Sequence, residues 1–452
     1  MNEETIFIQI ASYRDPELVK TLEDCIENAN KPENLRFGIC RQYKPGDDFD
    51  ILPGWMQNDS RFRVVDVDWK DARGVCWARN IVQNEYQDET YTLQLDSHHR
   101  FAPGWDTLCI DMMKQLQKKG HKKPLLTAYL PSYKPNNDPA GRENDPWHME
   151  FDRFIPEGAI FFIPAIMPNY QNRSEPMRSR FYSAHFCFTL GQFCKEIPHD
   201  PDYYFHGEEI SIAVRAFTHG YDLFHPHKNI AWHEYTREGR DKHWDDHDVD
   251  SGSSYGWSSV NNACHFRNRT LFGMDDTERE NLDFGMYGFG TERTLEDYER
   301  YSGIKFDRRG VMEYTWPGIH EAPNPCYKNN PGIYKNKEEW ENAFGRNWCV
   351  DIWIAKEDIT TQDHADCDFW CCTAHDKDGN EIYREDLNEW RISEEKAKDA
   401  ASFFLKFCSN EEPRSWAVLP HSKSKGWLDR IGPNPINLPH SKYEITNGIY
   451  NE

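Results

Sequence analysis

The chain has 452 residues and carries 53 lysines and arginines against 76 acidic residues, for a net charge of −23. A field of that sign repels phosphates, which excludes a nucleic acid or an anionic membrane surface as the main partner; an anionic small substrate would need a local pocket of cations or metal. Aromatic residues make up 14% of the chain, too many for a disordered polymer and suited to a packed, multidomain protein.

In chain order, "MNEETIFIQIASYRDPEL" carries acids where a signal peptide carries basic residues, and no later run approaches the roughly 18 apolar residues of a spanning helix. "TIFIQIAS" reads as a buried strand and "DPELVKTLEDCIENA" as a helix that starts near Asp15 and Pro16. "LRFGICRQY" and "FRVVDVDW" are strands, "GVCWARNIVQNEY" has helical spacing, and "TYTLQLDSH" returns to strand. This alternation predicts an α/β fold with a mostly parallel sheet and ligands bound outside the carboxyl ends of its strands. After a polar, loop-rich stretch, "EGAIFFIPAI" and "SAHFCFTL" are strands. "GEEISIAVRAFTHG" is a helix with Ile210, Ile212, Ala213, Ala216 and Phe217 on one face and Gly220 at its end.

"WPGIHEAPNPCYKNNPGIY" (316–334) reads as a linker. The short strands beyond it, with "DKDGN" as a hairpin turn, predict a small β-rich accessory domain. The expected division is a catalytic unit over 1–318, a linker over 319–335 and the accessory domain over 336–452. Thirteen cysteines, an odd number scattered through apolar runs such as "FGIC" and "FCFTL", fit reduced thiols of a cytoplasmic protein. "CDFWCC" lacks the paired spacing of a zinc site.

"LQLDSHHRF" ends an apolar strand pattern with an acid and two imidazoles. Asp96 and His98, two apart on a strand, point the same way and can share a divalent cation, with Ser97 facing away and His99 on the opposite face. A strand-end acid paired with a neighbouring cation explains the same residues and stays open on spacing alone.

The longer string "LQLDSHHRFAPGWD" resembles the metal-site segment of the cytosolic polypeptide N-acetylglucosaminyltransferases that modify hydroxyproline. It is more distantly similar to the mucin-type polypeptide GalNAc-transferases. "IFIQIASYRDPELVKTLEDC" resembles that family's opening strand and uridine-binding turn, and "DARGVCWARNIVQ" its donor-binding helix. "FHGEEISIAVRAFTHGYD" looks like its sugar-site segment, and "YGFGTERTLEDYERYSGIKF" like its closing stretch. The segments are collinear over most of Thr5–Phe306, and the resemblance does not reach the tail.

The resemblance implies a GT-A fold and a retaining transfer of GlcNAc from UDP-GlcNAc to a hydroxyl of a protein or peptide, assisted by Mn²⁺ or Mg²⁺. It implies Asp96, His98 and the His233 of "NIAWHEYTREGR" as metal ligands. Ala11, Ser12, Tyr13, Arg14, Arg73, Gly74, Trp77, Arg79 and Ser97 are then expected at the donor, with Tyr235 and Arg237, beside Arg240, in a stretch able to close over the pyrophosphate. Glu208 is expected to accept from sugar hydroxyls, Glu209 to lie beside the acceptor, and Trp105, Asp106 and His206 to border the acceptor site; Glu208, Glu209 and Asp96 make the expected catalytic set. A surface ion pair for Arg73, helix packing for Trp105 and a helix-dipole preference for the glutamates are the plainer readings. A glycan acceptor, another UDP-sugar, or a carbohydrate-binding protein without catalysis are the alternatives for the whole chain.

Overall fold

The computed structural model describes residues 4–436, apart from 237–238, 249–255, 275–276, 278–279, 281, 313–314, 317–320 and 323–336. Four strands open it: β1 (Ile6–Tyr13), β2 (Leu35–Tyr43), β3 (Phe62–Asp68) and β4 (Tyr91–Leu95). They pair in parallel in the order β3-β2-β1-β4. β1 shows why its run is apolar on both faces. Ile6, Ile8 and Ile10 enter one core with Leu18, Leu22 and Cys25 of the helix Leu18–Glu27. Phe7 enters another with Ala78 and Val82 of the helix Val75–Gln83. A parallel strand covered by helices on both sides has no solvent face to keep polar.

The chain then adds β5 (His99–Phe101), β6 (Lys123–Thr127), the hairpin of β7 (Trp147–Phe154) and β8 (Ile160–Ile166), β9 (Met177–Arg178), β10 (Phe186–Leu190), β11 (Tyr221–His225) and β12 (Ala231–His233). β10 inserts antiparallel between β4 and β6, β11 follows parallel to β6, and β9 closes the edge antiparallel. The result is the α/β, mostly parallel sheet expected from the alternation of strands and helices in the sequence. Because β10 runs backwards, its first residue, Phe186, pairs with Leu95 at the end of β4, so the loop before β10 arrives at the sheet's carboxyl edge. β12 pairs with β5 and sets His233 opposite His99. The helix Glu208–Thr218 is buried all round from Ile210 to Thr218 rather than on one face, because Phe272, Tyr298 and Tyr301 pack on it from outside the sheet.

The β-rich C-terminal region has two sheets around one core that includes Trp348, Ile352, Trp370, Cys372, Leu405 and Val418. In the first sheet, the short strands Ile304–Lys305 and Gly310–Val311 lead into Gly345–Ala355 and Ala400–Cys408. In the second, Cys367–His375 lies between Glu381–Asn388 and Ser415–Ser422. Phe154 N donates to Asn347 Oδ1 at 3.0 Å, and Lys406 Nζ meets Asp152 Oδ1 at 2.5 Å, so this region abuts β7. Of the expected linker, only Glu321 and Ala322 are among the described residues; both bond to Arg178, at the end of β9. Every cysteine among the described residues is a free thiol, and no helix among them is long and apolar enough to cross a membrane.

Candidate functional site

β4 ends at Leu95, and the chain bends at Ser97 before β5 begins. Asp96 and His98 therefore converge through a bend, not through the pleat of one continuous strand. His98 Nε2 lies 3.8 Å and His233 Nε2 3.4 Å from Asp96 Oδ2. The ligand atoms of the three residues all fall within 4.8 Å of one another, the only such His/Cys/Asp/Glu group among the described residues. The same bend overturns the expectation for His99. Its ring is buried 4.9 Å from that of His233, and its Nδ1 faces Asp96 O at 3.0 Å.

The donor set fits a divalent cation. Both ring nitrogens of His233 are buried, Nδ1 without a hydrogen-bond partner and Nε2 facing Asp96 Oδ2, and burial holds its pKa well below the ordinary histidine value, which keeps a lone pair available. Asp15 Oδ2 lies 2.8 Å from His98 Nδ1. Arg240 Nη1 contacts the same nitrogen, so Nδ1 is occupied by protein groups and Nε2 is left turned to Asp96. Burial would raise the Asp96 carboxyl, but His233, Arg79 and His98 outweigh it and hold the group well below the usual range. Asp15 likewise resists burial, held at about 2 by His98 and Arg240. One carboxylate and two imidazoles make a set that suits Mn²⁺.

Arg79, buried, donates from Nη2 to Asp96 Oδ1 at 2.8 Å and places Nη1 3.6 Å from Glu208 Oε1. It ties the metal-site acid to the helix that carries Glu208. Glu209 turns elsewhere: Oε1 accepts from Ala184 N at 2.9 Å and Oε2 from the Tyr129 hydroxyl at 2.8 Å. Burial and mutual repulsion raise the Glu208 carboxyl, and burial raises that of Glu209. A raised folded-state pKa contributes stability that is complete below the ordinary glutamate range and is lost as pH rises through the raised value. In metal-free buffer, Glu208→Gln should therefore gain stability relative to wild type as pH rises from 5 to 8. Thermal unfolding of both proteins across that range checks it, and parallel profiles would contradict it.

Around this centre, the expected donor residues separate. Tyr13 ends β1 and Arg14 follows it, but Arg14 is paired with Asp47 (2.6 Å), Asp241 (2.7 Å) and Asp246 (2.6 Å), and the Tyr13 hydroxyl donates to Asp246. Ser12 is buried, and Ala11 and Trp77 pack partly into the cluster around Phe7. Arg73 is exposed, with its guanidinium 5.8 Å from the Trp77 ring. Gly74 sits at φ +104, where a Cβ would lie 2.7 Å from the Tyr204 ring and 2.9 Å from its carbonyl oxygen. Gly74→Ala should cost at least about 1–3 kcal/mol for the backbone conformation alone, read as a fall in the denaturant midpoint; an unchanged midpoint would contradict it. Tyr235 stacks edge-on to His233 at 4.3 Å and donates its hydroxyl to Leu130 O. Arg237 lies outside the described residues.

Three residues expected in the site are buried against other protein groups. Ser97, expected at the donor, is buried and donates to Asp15 Oδ2 at 2.7 Å. Trp105, expected at the acceptor, is fully buried in the core beside Phe101 and donates to Cys25 O, since its helix packs against β6. Asp106 is also buried, accepting from the backbone N–H groups of Asn30 and Lys31. His206 is half-buried, its ring 4.6 Å from Phe161. Sequence reasoning missed His185, whose ring stacks on His233 at 4.2 Å while its Nε2 accepts from Leu130 N. It read Asp15 only as a helix cap. "SAHF" gave no signal for His185, because only the reversed strand β10 brings it to the metal ligands.

The profile of the Glycosyltransferase (GlcNAc) family matches residues 5–54 and 54–308. Among solved structures, GalNAc-T7 with UDP, GalNAc and Mn²⁺ is similar at 14% identity and a TM-score of 0.43, covering 66% of this chain and 54% of that one. The chain thus spans about half of the GalNAc-T7 chain. TarS 1–349 of S. aureus with UDP-GlcNAc is similar at 11% identity and a TM-score of 0.39, covering 75% and 79%. The mannosyltransferase PcManGT of Pyrobaculum calidifontis with GDP-Man and Mn²⁺ follows at 10% and 0.34, covering 52% and 58%. No curated protein matches the chain. With the acid–histidine centre, the buried arginine and the sheet that carries them all inside the matched residues, the chain belongs to the Glycosyltransferase (GlcNAc) family.

Proposed function

We propose that the chain is a metal-dependent, retaining glycosyltransferase that moves GlcNAc from UDP-GlcNAc to a hydroxyl group of a polypeptide. The convergence of Asp96, His98 and His233 at the carboxyl edge of the sheet carries the reading. Mn²⁺ or Mg²⁺ held there would supply charge neutralisation to the departing diphosphate. Arg79 keeps Asp96 ionised and aimed at the centre. Glu208, at the start of a helix across from Asp96 and held by the same arginine, is the group offered to sugar hydroxyls. Tyr13 and Arg14, at the end of β1, are offered to the nucleotide once Asp241 and Asp246 release them. The family name supports GlcNAc as the sugar, and the likeness to polypeptide transferases supports the acceptor and the α-linkage of a retaining course. Free thiols throughout the described residues support a cytoplasmic setting, and the C-terminal region is read as an accessory domain.

The test is incubation with a panel of UDP-sugars and Mn²⁺, followed by mass spectrometry of Ser-, Thr- and hydroxyproline-containing peptides. UDP release from UDP-GlcNAc and a peptide gain of one N-acetylhexosamine are expected. No release from any UDP-sugar, or full activity in excess EDTA, would overturn the proposal.

A further inference from the structure

A row of rings leaves the candidate site and crosses onto the C-terminal region. His206, two residues before Glu208, lies 4.6 Å from Phe161 of β8. The Arg153 guanidinium sits 4.8 Å from the Phe161 ring and 4.8 Å from that of Phe404. Phe404 is on the strand Ala400–Cys408, opposite Asp351, and Trp353 on the adjacent strand is opposite Ser402. Trp353 and Phe404 are thus diagonal neighbours on the outer face of their sheet, about 7–8 Å apart. That face is aimed at β7: Lys406, two residues from Phe404, bonds to Asp152. Trp353 is 58% and Phe404 43% exposed, and Ile163, on the same face of β8 as Phe161, is 42% exposed.

Strands on a solvent face normally carry polar side chains, and large apolar rings left there in a continuous band mark a contact surface. From this band we infer that the face running from His206 through Phe161, Arg153 and Phe404 to Trp353 holds the extended polypeptide on either side of the acceptor hydroxyl. The inference rests on the reading of the site as a transferase toward a polypeptide, and it deepens that reading by giving the acceptor a second, distant point of attachment. The path is about 20 Å long, which matches about six residues of extended chain at roughly 3.3 Å each. Aromatic rings and arginine are the side chains enriched at polypeptide interfaces. Arg153 is held between two rings and paired with Asp152, and Asp351 flanks Phe404. The band therefore has no excess positive charge, which suits a neutral or basic segment and not a polyanion. The C-terminal region gains a role from this placement: it extends the acceptor site beyond the reach of the catalytic sheet.

The experiment compares kcat/KM, with UDP-GlcNAc and Mn²⁺, for 13-residue peptides centred on Ser, Thr or hydroxyproline and for capped tripeptides with the same centres. Trp353→Ala/Phe404→Ala should lower the ratio of long to short at least tenfold, whereas Trp390→Ala, an exposed tryptophan away from the band, should leave it unchanged. Trp353→Gln alone, at the more exposed ring, supplies the same comparison should the double variant fold poorly. An unchanged ratio would overturn the docking face while leaving the transferase reading intact. UDP-GlcNAc hydrolysis without transfer to any peptide would overturn both the polypeptide reading and this inference. Transfer to oligosaccharides alone, lost in Trp353→Gln, would assign the band to a glycan and overturn the polypeptide assignment.

Discussion

Asp96→Asn is expected to lower transfer about a hundredfold or more while leaving the fold in place, the loss typical of removing one electrostatic element of a catalytic site. Asparagine keeps the shape of the side chain and an oxygen but gives up the charge that faces His98, His233 and Arg79. Calorimetric titration of Mn²⁺, with UDP present, should show weakened binding in parallel with the lost rate. Chelation of wild type should reproduce the loss, and added Mn²⁺ should reverse it. Wild-type rates in the variant would remove Asp96 from the metal centre and return it to the plainer role of a strand-end acid paired with arginine.

The second large effect belongs to Arg79. Its side chain is 4% exposed and is shared between Asp96 and Glu208. Removing one partner of a buried ion pair leaves an uncompensated charge and costs about 3–5 kcal/mol, so Arg79→Met should fall in stability by that order in chelator. Bound Mn²⁺ would face the same carboxylate that the guanidinium now holds, so saturating metal should recover part of the loss. The rise in unfolding temperature on adding Mn²⁺ should thus be larger in Arg79→Met than in wild type, by ligand linkage. An equal rise in both proteins would show that Arg79 and the metal act on separate groups. Arg79, expected from the sequence at the donor, bonds in the structure to the metal-site acid Asp96.

The sequence by itself determined the elements whose signal is local. β1, β2 and β4 were legible because strands largely buried on both faces read as apolar runs, and the helix Val75–Gln83 because its spacing repeats every turn. Asp96 and His98 were readable as a pair from their spacing, whereas His233 was legible only through resemblance, since a histidine 135 residues beyond His98 carries no joint signal with it in the chain. What the tertiary structure alone decided is where side chains go once strands end. The bend at Ser97 turned His99 toward His233, against the alternation of a continuous strand. Reversal of β10 delivered His185 to the same ring. Packing of the helix Trp105–Lys118 against the sheet took Trp105 into the core and set Asp106 against the backbone N–H groups of Asn30 and Lys31. The physical reason is common to all three. Periodicity encodes which face of an element is buried, whereas the direction of a loop and the choice of neighbour come from contacts between residues far apart in sequence, and those are set only when the whole core closes.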